Sequence, residues 1–173
     1  MICTKYINSP LGELLAGATQ KGICSLEYTK DERKGVNVII ENANPDNNSI
    51  KLLEQLEVEL AAYFKGELKV FTVPLDTSGT PFQLEVWNKL IEIPYGTTVT
   101  YSELAKMMNS PNAVRAVGGA NAKNPVMIVV PCHRVNGANG KLTGYSGGLY
   151  AKKFLLELES GKRRPVQTVL MFP

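Results

Sequence analysis

TPFQLEVWNKLIEIPYGTTVTYSELAKMMNSPNAVRAVGGANAK, from Thr80 to Lys123, carries three helix starts in succession. Thr80-Pro81-Phe82-Gln83 offers an N-cap threonine, a proline at the first helical position and a glutamine at the third. The helix it opens, FQLEVWNKLIEI, is expected to bury Phe82, Val86, Trp87 and Leu90 and to end at IPYG. Thr100-Tyr101-Ser102-Glu103 repeats the capping box and opens a short helix through about Met108. Ser110-Pro111 is read as the cap of a third helix, NAVRAVGGANAK. Two short helices joined by a tight turn make a helix-turn-helix candidate.

The third helix is built of small residues: Ala113, Ala116, Gly118, Gly119, Ala120 and Ala122. Each glycine inside a helix costs about 1 kcal/mol relative to alanine. Close backbone approach would offset that cost. The approaching body is either another helix or a nucleic-acid groove, with Arg115 as the one long side chain on a shaved surface. Reading base edges needs Asn, Gln or Arg along the helix. For a nucleic acid, sequence-independent docking is therefore the expectation.

Toward the N-terminus the pattern changes. ICTKYI, ELLAGAT and ICSLEYT, split by SPLG and QKG, read as a strand meander. Residues 31–48 are polar and end in NANPDNN, a loop. A helix from about Ser49 to Lys65 follows, with Ile50, Leu53, Leu56, Leu60 and Phe64 near one face and Gly66 as its stop. PLDTSG (Pro74 to Gly79) reads as a linker. The expected architecture is an α/β N-terminal domain over residues 1–78, a small sheet plus a helix. A mostly helical C-terminal domain with a helix-turn-helix follows over 79–173.

The 173 residues suit that size, being 44% hydrophobic and 20% charged with net charge +3. The charge is uneven: 8 Lys+Arg face 11 Asp+Glu through residue 80, and 11 face 5 from Pro81 onward. This is either chance on a folded surface or the mark of a basic module that meets a polyanion. Between Thr100 and Lys153 the count is seven to one, which places the excess around the helix-turn-helix. No apolar run approaches the roughly 18 residues that span a bilayer, and MICTKYINSPLG has no secretory pattern. Collagen-like, disordered and membrane classes are excluded, and a cytoplasmic location is expected.

Toward the C-terminus, Asn124-Pro125 leads into VMIVV (Val126 to Val130), read as a buried strand, then PCHRV (Pro131 to Val135) and an Asn136-Gly137 turn. Cys132 is either a core cysteine or a nucleophile. Beside it stand the only histidine of the chain, His133, and a cation, Arg134. A thiol becomes a thiolate near neutral pH only with a base or a positive charge nearby. Neighbours on a strand face opposite ways, so a Cys–His partnership needs a turn here or a bridging water. The other cysteines, Cys3 and Cys24, could bridge or bind metal, but zinc needs about four ligands and there is no CxxC and no second histidine. No metal and no cofactor are expected.

PCHRV, preceded by Asn124-Pro125 and followed by GYSGG (Gly144 to Gly148), resembles the O6-alkylguanine-DNA alkyltransferases, the methylated-DNA–protein-cysteine methyltransferases. IPYGTTVTYSELA (Ile93 to Ala105) and NAVRAVGGANAKNP (Asn112 to Pro125) extend the resemblance in the family's order. It is dense from about residue 80 to 160 and weak before that. The resemblance implies DNA repair by transfer of the alkyl group from O6-alkylguanine to Cys132, once per protein. It implies that His133 deprotonates Cys132 through a water and that Glu159 orients His133. Tyr101 would help rotate the nucleotide out and protonate the guanine. Arg115 would fill the vacated space, with Ala113, Gly118 and Gly119 on the DNA-binding helix, docked in the minor groove of duplex DNA. Asn124 would be a hinge, and with Pro131, Val135, Tyr145 and Ser146 would form the substrate pocket. The protein would act as a monomer.

Two other readings differ in kind. A cysteine hydrolase, for which Cys plus His is the minimal kit, predicts many turnovers and an acyl intermediate. A non-catalytic protein that binds alkyl lesions in DNA would lack the acceptor cysteine, and Cys132 is present.

Overall fold

The computed structural model describes residues 2–29 and 47–163. The chain divides between Thr77 and Ser78 into two compact units. Most of the loop expected over residues 31–48 lies outside the described residues.

The first unit is an antiparallel meander of β1 (Cys3–Ser9), β2 (Gly12–Ala18) and β3 (Ile23–Tyr28), followed by α1 (Asn47–Phe64). One face of the sheet buries Cys3, Ile7, Leu14, Ala16, Ala18, Ile23 and Leu26. α1 contributes Leu52, Leu53, Leu56, Leu60, Tyr63 and Phe64 to the buried core. Ile50, expected on that face, is only half-buried, and Leu52 takes the inner position. The three cysteines are free.

Pro74–Gly79 is not simply a linker. Ile23 donates to the Pro74 carbonyl at 2.8 Å and Asp76 donates to the Ile23 carbonyl at 2.9 Å, so Leu75 forms a parallel bridge on the edge of β3. The crossing chain passes so close to Gly22 that a Cβ there would meet the Leu75 carbonyl carbon at 2.6 Å. Unpaired edge groups of β3 find partners in this segment, and the changeover between units falls within it, between Thr77 and Ser78.

The second unit comprises α2 (Pro81–Ile91), β4 (Val99–Thr100), α3 (Tyr101–Met107), α4 (Val114–Ala122), a 3-10 turn (Cys132–Arg134), β5 (Val135–Asn136), a second 3-10 turn (Ala138–Gly140) and α5 (Gly148–Glu159). Both expected capping boxes form: Thr80 with Gln83 on α2 and Thr100 with Glu103 on α3. α2 buries Val86, Trp87 and Leu90, while Phe82 stays half-buried. β4 and β5 pair in parallel, Val99 with Val135.

Two expectations fail here. Ser110-Pro111 does not cap α4, whose N-cap is Ala113 without a side-chain bond. Ser110 is spent closing α3, donating to the Ala105 carbonyl at 2.9 Å after Asn109 takes a left-handed φ of 54°. The helix starts only once that turn is complete. VMIVV is buried but is no strand: Val130 donates to the Val126 carbonyl at 3.0 Å and Val129 to that of Met127 at 2.9 Å. The side chain of Asn124 closes the loop, accepting from Val126 N–H at 3.0 Å and donating to the Val130 carbonyl at 2.8 Å. A short apolar run reports burial without reporting backbone shape. Ile128, a β-branched residue, sits at φ 72° within the loop, a conformation costing on the order of 1–3 kcal/mol that the surrounding core must impose.

Candidate active site

Cys132 opens the 3-10 turn, so the chain bends where a strand would have sent Cys132 and His133 to opposite faces. The thiol is 3% exposed. Asn124 Nδ2, which already holds the Val130 carbonyl, also reaches Cys132 Sγ at 3.1 Å. One carboxamide therefore ties the C-terminal end of α4 to the apolar loop and to the sulfur. Burial pushes the Cys132 thiol up to about 11, against the Asn124 bond and the charge of Lys152. Left alone it would be almost wholly protonated at neutral pH.

A buried ionic cluster stands behind it. His133 is fully buried, and its Nε2 lies 2.8 Å from Glu159 Oε1. Arg134 Nε donates to Glu159 Oε2 at 2.9 Å, and a terminal nitrogen of the same guanidinium reaches Oε1 at 2.9 Å. Gly96 N–H adds a bond to Oε2 at 3.1 Å, and Arg134 also donates to the Ile93 carbonyl at 2.6 Å. Burial works against the Glu159 carboxylate, but the hydrogen bonds and charges of His133 and Arg134 outweigh it and hold the carboxyl at about 2. Burial pushes the His133 imidazole below its ordinary range despite Glu159. A neutral imidazole donating from Nε2 to a carboxylate keeps its lone pair on Nδ1. That Nδ1 is buried without a hydrogen-bond partner among the described residues. His133 is thus poised as a base.

A cavity of about 330 Å³ is lined by Tyr101, Gly118, Asn121, Ala122, Cys132, Gly144, Tyr145 and Ser146. Burial pushes the Tyr101 hydroxyl pKa above its ordinary value, and the neighbouring side chains of Thr143 and Asn121 work against that rise. Of the expected pocket residues, Tyr145 and Ser146 line this cavity, whereas Asn124, Pro131 and Val135 lie buried outside its lining. Lys152, fully buried on α5, donates to the carbonyls of Val135 at 2.5 Å and Thr143 at 2.8 Å. Burial lowers its pKa to about 8.

α4 turns Arg115, Ala116, Gly119, Ala122 and Lys123 outward and buries Val117, Ala120 and Asn121. Ala113 and Gly118 are half-buried. A Cβ on Gly119 would meet nothing within 4 Å, so no packing partner within the described residues explains that glycine. The basic excess is smaller on the surface than in the sequence, because Arg134 and Lys152 turn inward. Among the described residues no group of His, Cys, Asp and Glu could hold a metal ion, and no helix is long and apolar enough to cross a membrane.

Sequence reasoning singled out Cys132, His133, Glu159 and Tyr101 but passed over Arg134's place in the cluster, Lys152, Asn121 and Thr143. A signal for Lys152 was available. α5 buries Ala151, Phe154, Leu155 and Leu158, and both Lys152 and Glu159 fall beside that stripe. Charges in an apolar stripe need partners.

Fold and site together describe a buried cysteine nucleophile carried by a helix-turn-helix module. The model of the ribonuclease-like domain of 6-O-methylguanine DNA methyltransferase matches residues 1–77, and that of its DNA binding domain matches residues 81–161. A methylated-DNA–protein-cysteine methyltransferase of Methanosarcina mazei is 50% identical over 153 residues, covering 88% of this chain and 94% of the relative. The inducible one of Bacillus subtilis is 47% identical over 155 residues, covering 89% and 83%. A crystal structure of Mycobacterium tuberculosis OGT in complex with DNA superimposes with a TM-score of 0.75 at 43% identity, covering 92% of this chain and 93% of its own. The chain belongs to the methylated-DNA–protein-cysteine methyltransferase family.

Proposed function

We propose that the protein repairs duplex DNA by moving the alkyl group of O6-alkylguanine onto Cys132 Sγ, in one irreversible turnover. The observation that carries the reading is a buried thiol lining a cavity, next to a neutral imidazole whose Nε2 is held 2.8 Å from Glu159. Guanine O6 lies within the base stack, so the nucleotide must be rotated out before the thiol can reach it. α4 docks in the minor groove, where its small outward residues fit closely. Arg115 enters the space left by the rotated base and offsets part of the few kcal/mol that unstacking costs.

In the chemical step Cys132 Sγ bonds to the alkyl carbon as the bond from that carbon to O6 breaks. The thiol proton passes through a water to His133 Nδ1, and Glu159 stabilises the imidazolium. Tyr101 donates a proton to the departing guanine, so the base leaves neutral. The product is a thioether, with no acyl carbon for water to attack, so the protein is consumed. It works as a cytoplasmic monomer. Ser146 lines the guanine site through its backbone, alongside Tyr145, and Asn124 is the hinge between α4 and the cysteine.

The test is to incubate the protein with a duplex oligonucleotide carrying O6-methylguanine and weigh both. The expected result is a gain of about 14 Da on the peptide containing Cys132, with about one methyl per protein. Many oligonucleotides cleared per protein, or an adduct on Cys3 or Cys24, overturns the reading.

A further inference from the structure

Gly96 is an exposed residue with a bond into the buried ionic cluster. Its N–H donates to Glu159 Oε2 at 3.1 Å, although the Glu159 side chain is only 1% exposed. Oε1 meets His133 Nε2 and a terminal nitrogen of Arg134, while Oε2 meets Arg134 Nε and the Gly96 N–H. His133 and Arg134 belong to the 3-10 turn that starts at Cys132, whereas Gly96 comes from the loop between α2 and β4. That loop is shaped for the contact. Thr97 N–H donates to the Pro94 carbonyl at 3.1 Å, closing a tight turn with Gly96 in its third position at φ 75°. This φ is the mark of a type II turn, whose third position falls to glycine. A Cβ at Gly96 would also stand 3.0 Å from the Glu159 carbonyl oxygen, so bare backbone is pressed against the end of α5. The same loop touches the other half of the ion pair. The Ile93 carbonyl accepts from Arg134 at 2.6 Å, and the Tyr95 ring centroid lies 5.8 Å from the guanidinium carbon.

We infer that Gly96 is a positioning residue for the reaction, its N–H fixing the Glu159 carboxylate where Oε1 meets His133 Nε2. This rests on the alkyltransferase reading above, in which His133 is the base. His133 and Arg134 share one short turn with the thiol, so their bonds alone would let the carboxylate follow any shift of that turn. A bond from a second element gives the carboxylate a fixed point outside it. The plane of the carboxylate then sets the tilt of the imidazole, and with it the direction in which Nδ1 meets the thiol proton. A side chain at position 96 strains the left-handed turn and pushes on the Glu159 carbonyl, and both effects draw the N–H away from Oε2. Misplacing a reacting group by about 1 Å can cost on the order of a hundredfold in rate.

The experiment has a spectroscopic and a kinetic arm, each run on the wild type, Gly96→Ala and Gly96→Asn. His133 is the only histidine of the chain, so protein carrying isotope-labelled histidine shows the ring of this residue alone by nuclear magnetic resonance. Single-turnover alkyl transfer is followed from a duplex carrying O6-methylguanine and from free O6-benzylguanine. The amplitude counts folded, reactive molecules and the rate constant measures how well each one reacts, so lost fold and lost position separate. In Gly96→Ala the Nε2–H signal should move upfield as its bond to Glu159 loosens. Rate constants on both substrates should fall together, by about tenfold or more. Asparagine visits the left-handed region more readily, so Gly96→Asn should lie between alanine and the wild type. Should Gly96→Ala not fold, Gly96→Asn is judged by the same two readouts. An Nε2–H signal that stays in place, or rate constants at the wild-type value with only a lower amplitude, overturns the inference. So does a loss of rate confined to the duplex, which would place the turn in DNA handling. Failure of the wild type to take an alkyl group from either substrate would instead sink the alkyltransferase reading. The ring spectrum would still report whether Gly96 holds Glu159 on His133, so the two failures are distinguishable.

Discussion

His133 Nε2 and Glu159 Oε1 lie 2.8 Å apart inside the second unit, and Arg134 grips the same carboxylate through two nitrogens at 2.9 Å. Residues adjacent in sequence thus share one carboxylate 25 or 26 positions away. The 3-10 turn that starts at Cys132 makes this possible, because it brings both side chains of His133 and Arg134 toward α5. Glu159 serves two purposes at once: it neutralises a buried guanidinium and fixes the imidazole with Nδ1 as its open lone pair.

Removing the charge should therefore cost stability as well as rate. Glu159→Gln leaves Arg134 buried and uncompensated, and breaking a buried pair in this way costs about 3–5 kcal/mol. The wild-type carboxyl titrates at about 2 in the folded chain, against about 4.3 for a free glutamate. A depressed folded pKa gives stability that is fully present above the unfolded value and is lost as pH falls from about 4.3 toward about 2. Thermal melting of Glu159→Gln at pH 7 should show a fall in Tm of about 10 °C or more. Between about pH 4.3 and 2 the variant should lose less stability than the wild type. Equal melting temperatures at pH 7 would contradict the cluster's role.

The imidazole sets a second pH dependence. Burial lowers the His133 pKa from its ordinary value of 6.5, so the ring is neutral through the physiological range and gains a proton only in more acid solution. If the base form is the active one, the acid limb of single-turnover transfer from an O6-methylguanine duplex should have its midpoint below pH 6.5. A limb with its midpoint above 6.5 would show that His133 is not the neutral base described.

What the sequence revealed and what it concealed divide along local and non-local physics. The capping boxes at Thr80 and Thr100 were legible because each is closed by residues three positions apart. The start of α4 was not, because Ser110 is recruited by the carbonyl of Ala105 to finish the preceding helix. VMIVV announced burial but hid the loop that Asn124 closes. Cys132 and His133 stood out by composition, whereas the role of Glu159 came only through family resemblance, since nothing local in α5 points to His133. Asn121 was invisible, because an asparagine in a helix of small residues does not declare which way it faces.

The outward face of α4 permits a separation of DNA handling from chemistry. Arg115 is exposed, and it is not among the residues that line the cavity with Cys132. Arg115→Ala should slow repair of a duplex carrying O6-methylguanine by tenfold or more, in line with the few kcal/mol of unstacking that the side chain offsets. Its reaction with free O6-benzylguanine, which needs no base rotation, should change by less than about threefold. The two assays run on one preparation decide the matter, and equal losses would contradict the proposal that Arg115 fills the space left by the rotated base.

Lys152 sets stability and reactivity against each other. Its ammonium is fully buried, lies near enough to Cys132 to favour the thiolate, and holds the carbonyls of Val135 and Thr143. Burial has already lowered its pKa to about 8, so keeping the charge at pH 7 works against folding. Lys152→Met keeps much of the volume, removes that desolvation cost and gives up two hydrogen bonds, so the terms oppose each other and Tm should move by only a few degrees. Reactivity has no such compensation. The thiol loses its nearby cation, and the carbonyl of Thr143, which directly precedes the cavity residues Gly144, Tyr145 and Ser146, loses its anchor. Methyl transfer by Lys152→Met should fall by at least about tenfold, equivalent to about 1.4 kcal/mol in the barrier, in single-turnover assays alongside a melting curve. A variant that melts like the wild type and reacts at the wild-type rate would show that the buried ammonium serves neither the thiol nor the cavity.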